Sequence, residues 1–164
     1  MDITKAIDFL DKQVANPTAG LPDEVFYYVT RVTPMANVDL LIKDEKNRTL
    51  LAWRDDQYSG KGWHLPGGII RFRETLETRI KKVIEKEIGA VVSFDLNPIA
   101  INEIIDPKKR NRSHFISILY KCLLSSDFVP GNKGLTLTDP GYLKWHAACP
   151  DDLLKYHNIY RKFL

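Results

Sequence analysis

The sequence predicts an α/β (α+β) domain with a mixed β-sheet and one central helix. Three observations carry this expectation. Two apolar runs, ANVDLLIK at 36–43 and RTLLAWR at 48–54, flank the turn residues DEKN as the arms of a hairpin do. A glycine pair in WHLPGG leads directly into a segment whose apolar residues return at helical spacing. Strand-like runs then resume, so the helix lies between strands in the chain.

At the start of the chain, Ile3, Ala6, Ile7, Leu10 and Val14 recur at helical spacing and predict an amphipathic helix over 2–15, closed by the breaker cluster NPTAGLP. A second short helix is expected through PDEVFYYVTR. After the hairpin, DQYSGKG reads as a loop and WHLPGG as a short strand running into a glycine turn. From Thr75 to Ile88 the period changes. Leu76, Ile80, Val83, Ile84 and Ile88 form one stripe, Glu77, Arg79, Lys81, Glu85 and Lys86 point largely away from it, and Gly89 ends the helix. Strands are expected at 90–96, 98–105 and 114–124, with another around GYLKWHA and a helical segment from Asp151 to Leu164. No repeat, low-complexity stretch or linker interrupts the chain, so residues 1–164 read as one domain.

At 164 residues, 44% hydrophobic and 27% charged, the chain can bury a sizeable core. A net charge of +3 favours a small anionic ligand slightly and gives no basis for nucleic-acid binding. The one basic run, KKRNR at 108–112, lies between apolar segments and reads as a solvated hairpin tip rather than a phosphate clamp. No segment has signal-peptide character or the ~18 apolar residues of a membrane span, so a soluble, cytoplasmic protein without a membrane partner is expected. Cys122 and Cys149 read as reduced packing residues. His64, His114, His146 and His157 show no metal-ligand spacing.

A glycine pair ahead of a helix lets main-chain groups approach a phosphate or its metal closely. Here Glu74 follows Gly68 by six residues and the helix ends in KVIEKEIG. This segment resembles the Nudix box, a glycine, five residues, a glutamate, seven residues, then Arg-Glu-apolar-any-Glu-Glu-any-Gly-apolar. Gly68, Glu74, Ile84, Glu87, Gly89 and Ala90 match; Lys82, Val83 and Lys86 depart. In place of three carboxylates stand Val83, Lys86 and Glu87, whose charges cancel. The loss falls on the face where a divalent ion would sit, so side chains of this helix cannot hold two or three Mg²⁺ ions.

Within that superfamily the chain is most similar to the GDP-mannose mannosyl hydrolase branch, whose box also lacks those two glutamates. VTRVTPMANVDLLI, LLAWR, LPGG, ETLE and the tail DDLLKYHNIYRKFL carry the resemblance over most of the chain. It implies a Nudix fold, a mixed sheet sandwiched between helices with a loop–helix–loop box, and cleavage between the sugar carbon and the diphosphate. One Mg²⁺, with Mn²⁺ as an alternative, is then enough to stabilise the nucleoside diphosphate leaving group.

Carried over by position, the resemblance makes Glu87 the side-chain metal ligand and the Gly67 carbonyl a second ligand. Arg54 becomes the cation on the leaving diphosphate, and Asp39 the group facing the sugar. It also implies a homodimer paired through the N-terminal region, where the FYYV cluster leaves aromatic surface to cover. Two features of the branch are missing. Phe115 follows His114 where a tyrosine is expected, and LTDPGYLKW has only Asp139 near the place of the general base. Either Asp139 acts as base or ligand, or it belongs to an ordinary Asp-Pro-Gly turn; Glu103 and His114 are the next candidates.

The remaining residues have two readings each. Asp39 and Arg54 can pair across the hairpin instead of serving chemistry. Arg71 and Arg73 can bind phosphates or lie solvated. His114 is a substrate-binding candidate. Trp63 is the best placed stacking group, and packing is the alternative role for it as for Trp53 and Trp145. Glu74 and Lys82 read as a structural ion pair. The expected activity is a Mg²⁺-dependent hydrolysis of a nucleotide sugar. The alternatives are a pyrophosphatase that splits the diphosphate and a non-catalytic nucleotide-sugar binding module.

Overall fold

The structure, a computed structural model, describes residues 2–164. Helix α1 (Ile3–Gln13) begins where the Asp2 carboxylate accepts from Thr4 N, and α2 (Asp23–Val32) follows. The strands are β1 (Met35–Lys43), β2 (Thr49–Asp56), β3 (Gly60–His64), β4 (Gly67–Ile69), β5 (Ser93–Phe94), β6 (Ala100–Ile105), β7 (His114–Leu123) and β8 (Leu143–His146). Helix α3 (Leu76–Val83) lies between β4 and β5, and a 3₁₀ segment, Lys155–Phe163, ends the chain.

The sheet is mixed. Its main path runs β3-β2-β1-β7-β5, with β4 on β1, β6 on β7 and β8 on β2. β1 and β7 are parallel, with Asp39 opposite Leu119, and the other ladders are antiparallel. Alternation along each strand divides two cores between the faces. Val38, Leu40, Ile42, Leu50, Ala52, Tyr120 and Cys122 pack with Ile80, Val83, Ile84 and Ile88 beneath α3. Leu41, Leu51, Trp63, Leu65 and Leu119 pack with Leu153 and Tyr160 from the C-terminal segment. The sheet is thus covered on both faces, as the resemblance implies.

Five expected elements change. The helix expected over 75–88 is α-helical only to Val83. Ile84–Ile88 forms a π-helical turn that ends at Gly89 (φ +67°), whose N–H donates to Ile84 O at 2.9 Å. β3 begins at Gly60, inside the expected loop, because it pairs with β2 as far as Asp56. Gly67 and Gly68 are strand residues on β1 rather than a turn. The expected helix from Asp151 starts only at Lys155, since Trp63 N donates to Asp152 O and Leu154 N to Trp63 O, both at 2.9 Å. Those two residues extend the edge of β3 and cannot also open a helix. The run 90–96 contributes only Ser93 and Phe94 as strand. No described helix is long and apolar enough to cross a membrane.

Candidate active site

Two neighbouring cavities lie at the end of the sheet where β4 leads into α3. The larger, about 710 Å³, is lined by α2, the β2–β3 connection, β1, β4 and the tip of the β6–β7 hairpin. The smaller, about 410 Å³, lies between β2, β3, the π-helical turn and Pro140–Gly141. Arg54 lines both. Its Nε lies 3.5 Å from Asp56 Oδ2, and one guanidinium nitrogen donates to Tyr156 OH at 3.4 Å. It does not pair with Asp39.

Asp39 lies on the floor of the larger cavity, 4% exposed. Its Oδ2 accepts from Ser117 Oγ and from Tyr160 OH, each at 2.5 Å. Burial pushes its carboxyl above the usual range, and these hydroxyls and the Asn37 amide oppose that shift. Gly67 is its partner across β4. A Cβ on Gly67 would meet Asp39 Oδ1 and Val38 O, so the main chain lies flat against the carboxylate as only glycine permits. Gly68 packs under Val83, which belongs to the core.

Glu87 is half-buried in the smaller cavity beside Lys86, on the π-helical turn. Burial raises its pKa to about 7, against the pull of Arg54, Lys86 and the Gly67 N–H, while the Asp39 charge adds to the rise. Glu87, Asp39 and Gly67 are therefore electrostatic neighbours. Among the described residues no three acidic, histidine or cysteine side chains converge as a metal cluster. The half-buried Glu87 carboxylate beside the Gly67 main chain would suit a single hard divalent ion, which takes oxygen ligands.

Glu74 is structural. It accepts from Arg79 Nε at 2.7 Å, from Lys82 Nζ at 3.0 Å and from Arg71 N at 3.0 Å. Lys82 is the partner expected from the sequence; Arg79 was not foreseen. These bonds, set against desolvation, lower the Glu74 pKa to about 2.

Several candidates lie elsewhere. Asp139 accepts from Thr136 N at 2.6 Å and from Thr136 Oγ at 2.8 Å, and it lines neither cavity. It is a turn residue here because its carboxylate closes the loop that precedes β8. His114 Nε2 faces Glu103 at 3.3 Å on the β6–β7 ladder, outside both cavities. Trp63 is 4% exposed, edge-on to Trp53 and His146 in the second core, and so packs rather than stacks on a ligand. Arg73 has φ +57° and lies over the Phe72 ring without lining the cavity itself, whereas Arg71 and Phe72 line it.

Sequence reasoning missed two groups. The KKRNR run does form the hairpin tip, yet Lys109, Arg110 and Arg112 line the larger cavity. His64 lines the smaller one. Its Nδ1–H donates to Leu65 O at 2.7 Å, which fixes the tautomer and leaves Nε2 with a lone pair. Burial and the nearby Arg54 lower its pKa to about 3, so the ring is neutral. The signal for His64 was its position beside the glycine pair; a search for metal-ligand spacing passed over it.

Four similarities to known proteins bear on this geometry. The family model of the NUDIX domain matches residues 33–164. The low-salt glycan biosynthesis protein Agl8 of Haloferax volcanii is 25% identical over 118 residues, covering 70% of this chain and 75% of that protein. A MutT NUDIX hydrolase from Burkholderia pseudomallei has the same fold with a TM-score of 0.60 at 22% identity, over 80% of this chain and 98% of that one. The MutT protein from Methanosarcina mazei gives 0.59 at 19%, over 80% and 91%.

Proposed function

The chain belongs to the Nudix domain family, and from that premise we propose that it is a divalent-metal-dependent hydrolase of nucleoside diphosphate sugars, breaking the bond from the sugar carbon to the diphosphate. The observation that carries this reading is that Glu87 is the one carboxylate of the box helix that lines the cavity with Arg54. Attack at phosphorus within this superfamily usually relies on a carboxylate cluster, and Val83 and Lys86 have removed it. Departure of a nucleoside diphosphate needs only charge neutralisation, which Arg54 and one ion supply. The larger cavity, at about 710 Å³, has room for a nucleotide sugar. The weak similarity to a glycan biosynthesis protein agrees with a sugar substrate.

In this reading Glu87 and the Gly67 carbonyl would hold Mg²⁺ or Mn²⁺, which would supply positive charge to the leaving diphosphate. Arg54 binds the same diphosphate through its planar fork, with Arg71 at the cavity wall as its second cation. Asp39, fixed by Ser117 and Tyr160, faces the sugar. Water attacks the anomeric carbon, the bond to the diphosphate oxygen breaks, and the bare Nε2 of His64 takes the proton of the water. A diphosphate seated on Arg54 offsets the positive charge that holds the imidazole pKa low. Asp139 has no part in this scheme.

Incubation with GDP-, UDP-, ADP- and dTDP-sugars and Mg²⁺, with the products identified, tests the proposal. Free sugar with nucleoside diphosphate supports it; sugar phosphate with nucleoside monophosphate makes the chain a pyrophosphatase. The homodimer is proposed through α1, none of whose residues is buried and whose Ile3, Ile7 and Phe9 are exposed. The FYYV cluster is partly used within the chain, since Phe26 lines the cavity and Tyr27 bonds Tyr58. Sedimentation at micromolar concentration is expected to give twice the chain mass.

A further inference from the structure

We propose that the cavity selects a sugar bearing a carboxylate, held by Lys109 and Arg112 of the β6–β7 hairpin tip; the inference rests on the nucleotide-sugar reading above. Arg54, Lys109 and Arg112 form a row along one wall, joined by aromatic rings. Arg54 bonds Tyr156 OH, and Lys109 Nζ lies 5.9 Å from the centroid of that same ring. Lys109 Nζ also donates to Tyr58 O at 2.6 Å. The Arg112 guanidinium lies 5.2 Å from the Tyr58 ring and 5.8 Å from the Phe26 ring. The Tyr27 and Tyr58 hydroxyls bond each other, which ties α2 to the β2–β3 connection beneath Arg112.

The charges in this row are only partly matched: Arg54 has Asp56 at 3.5 Å, so Arg112 is the member left without an acid. Arg112 forms no salt bridge among the described residues, and the nearest acid to Lys109 is Asp106 at 3.9 Å. Arg112 also has φ +53°, a conformation that L residues rarely adopt and that the hairpin tip imposes. Two aromatic faces restrain the guanidinium and leave its edge donors free to grip a carboxylate bidentately. A diphosphate is matched by Arg54, Arg71 and the ion on Glu87, so Lys109 and Arg112 are left for another anion.

Asn111 decides which anion. Its Oδ1 is enclosed at the same cavity with no hydrogen-bond partner, at a cost that a ligand donor would remove. Asn37 Oδ1, on the floor beside Asp39, is in the same condition. Acceptors next to cations call for hydroxyls beside the anionic group. A hydroxylated acidic sugar supplies both; an extended phosphate chain offers no donors to either asparagine.

Equilibrium binding to the full chain in EDTA, which prevents turnover, tests this with two matched pairs, UDP-glucuronate against UDP-glucose and GDP-mannuronate against GDP-mannose. The acidic member of at least one pair is expected to bind about tenfold more tightly. Arg112→Gln and Lys109→Gln are each expected to bring that ratio to within about threefold, and Arg112→Lys to retain part of it. Equal affinity for acidic and neutral sugars in the wild type overturns the inference and leaves the nucleotide-sugar reading standing. An unchanged ratio in both glutamine variants overturns it too, as does tighter binding of a nucleoside triphosphate than of any sugar nucleotide. Failure of every sugar nucleotide to bind, in EDTA and with Mg²⁺ alike, overturns both readings.

Discussion

Gly67 and Asp39 face each other across β4 and β1 so closely that a Cβ on Gly67 would lie 2.4 Å from Asp39 Oδ1 and 2.6 Å from Val38 O. Neither neighbour can yield easily. One is strand backbone, and the other is a carboxylate fixed by two buried hydroxyls. Gly67→Ala is therefore expected to cost about 1–3 kcal/mol, as overpacking does, and to push β4 away from the position in which its carbonyl is proposed to bind the ion. The denaturant midpoint and Mn²⁺ affinity should fall together. Unchanged values for both would show that the contact is loose and that the glycine is not required.

The Glu74 interactions predict a pH-dependent stability. The folded pKa is about 2 against an ordinary 4.5, so the contribution is fully present above about pH 5 and fades as pH falls through 4.5 towards 2. Glu74→Gln should destabilise the protein at neutral pH by about 2–3 kcal/mol, because Arg79 and Lys82 lose their shared acceptor in a site where the side chain is only 5% exposed. Urea titrations of both proteins at several pH values should converge near pH 2. A constant gap down to that pH would show that the loss is one of shape and not of charge.

The parts legible in the sequence are those encoded by period. Val38, Leu40 and Ile42 alternate with Asp39 and Leu41 because each set faces a different layer, and Ile80, Val83, Ile84 and Ile88 form one stripe because they share one core. The Asp44 turn was legible too, as its carboxylate accepts from Lys46 N and Arg48 N. What stayed hidden depends on distant partners. Nothing local shows that Trp63 takes Asp152 and Leu154 out of the last helix, or that the KKRNR tip folds back over Tyr58 and Tyr156. Asp139 was ambiguous because a carboxylate in an Asp-Pro-Gly loop looks the same whether it closes a turn or faces a substrate. His64 was passed over because its tautomer is set by Leu65 O, a bond without sequence spacing to search for.

Glu87 gives the third prediction. Titration with Mn²⁺, followed by electron paramagnetic resonance, should find one site per chain, weakened at least about tenfold in Glu87→Gln. Mg²⁺ should also raise the melting temperature of the wild type and not of the variant, since binding to the folded state alone stabilises it. The variant should fold normally without metal, because burial already disfavours the charged carboxylate. Equal Mn²⁺ affinity in both proteins would remove Glu87 from the metal site.

The last prediction separates His64 from Asp139 as the proton acceptor. His64 is a neutral imidazole with a fixed tautomer, sharing its cavity with Glu87 and Arg54. The Asp139 carboxylate is bonded twice to Thr136 and held below its usual pKa by those bonds. Asparagine can accept the same bonds, so Asp139→Asn should keep kcat within about twofold and shift stability by no more than about 0.5 kcal/mol. His64→Gln should lower kcat by roughly two orders of magnitude. Because glutamine retains a polar group near Leu65 O, circular dichroism and the thermal transition should show the fold intact, and KM for the nucleotide sugar should change little, since the groups proposed to bind the diphosphate, Arg54 and the ion on Glu87, are untouched. If Asp139→Asn abolishes turnover while His64→Gln preserves it, the loop before β8 must swing over the cavity during catalysis, and the proton passes to Asp139.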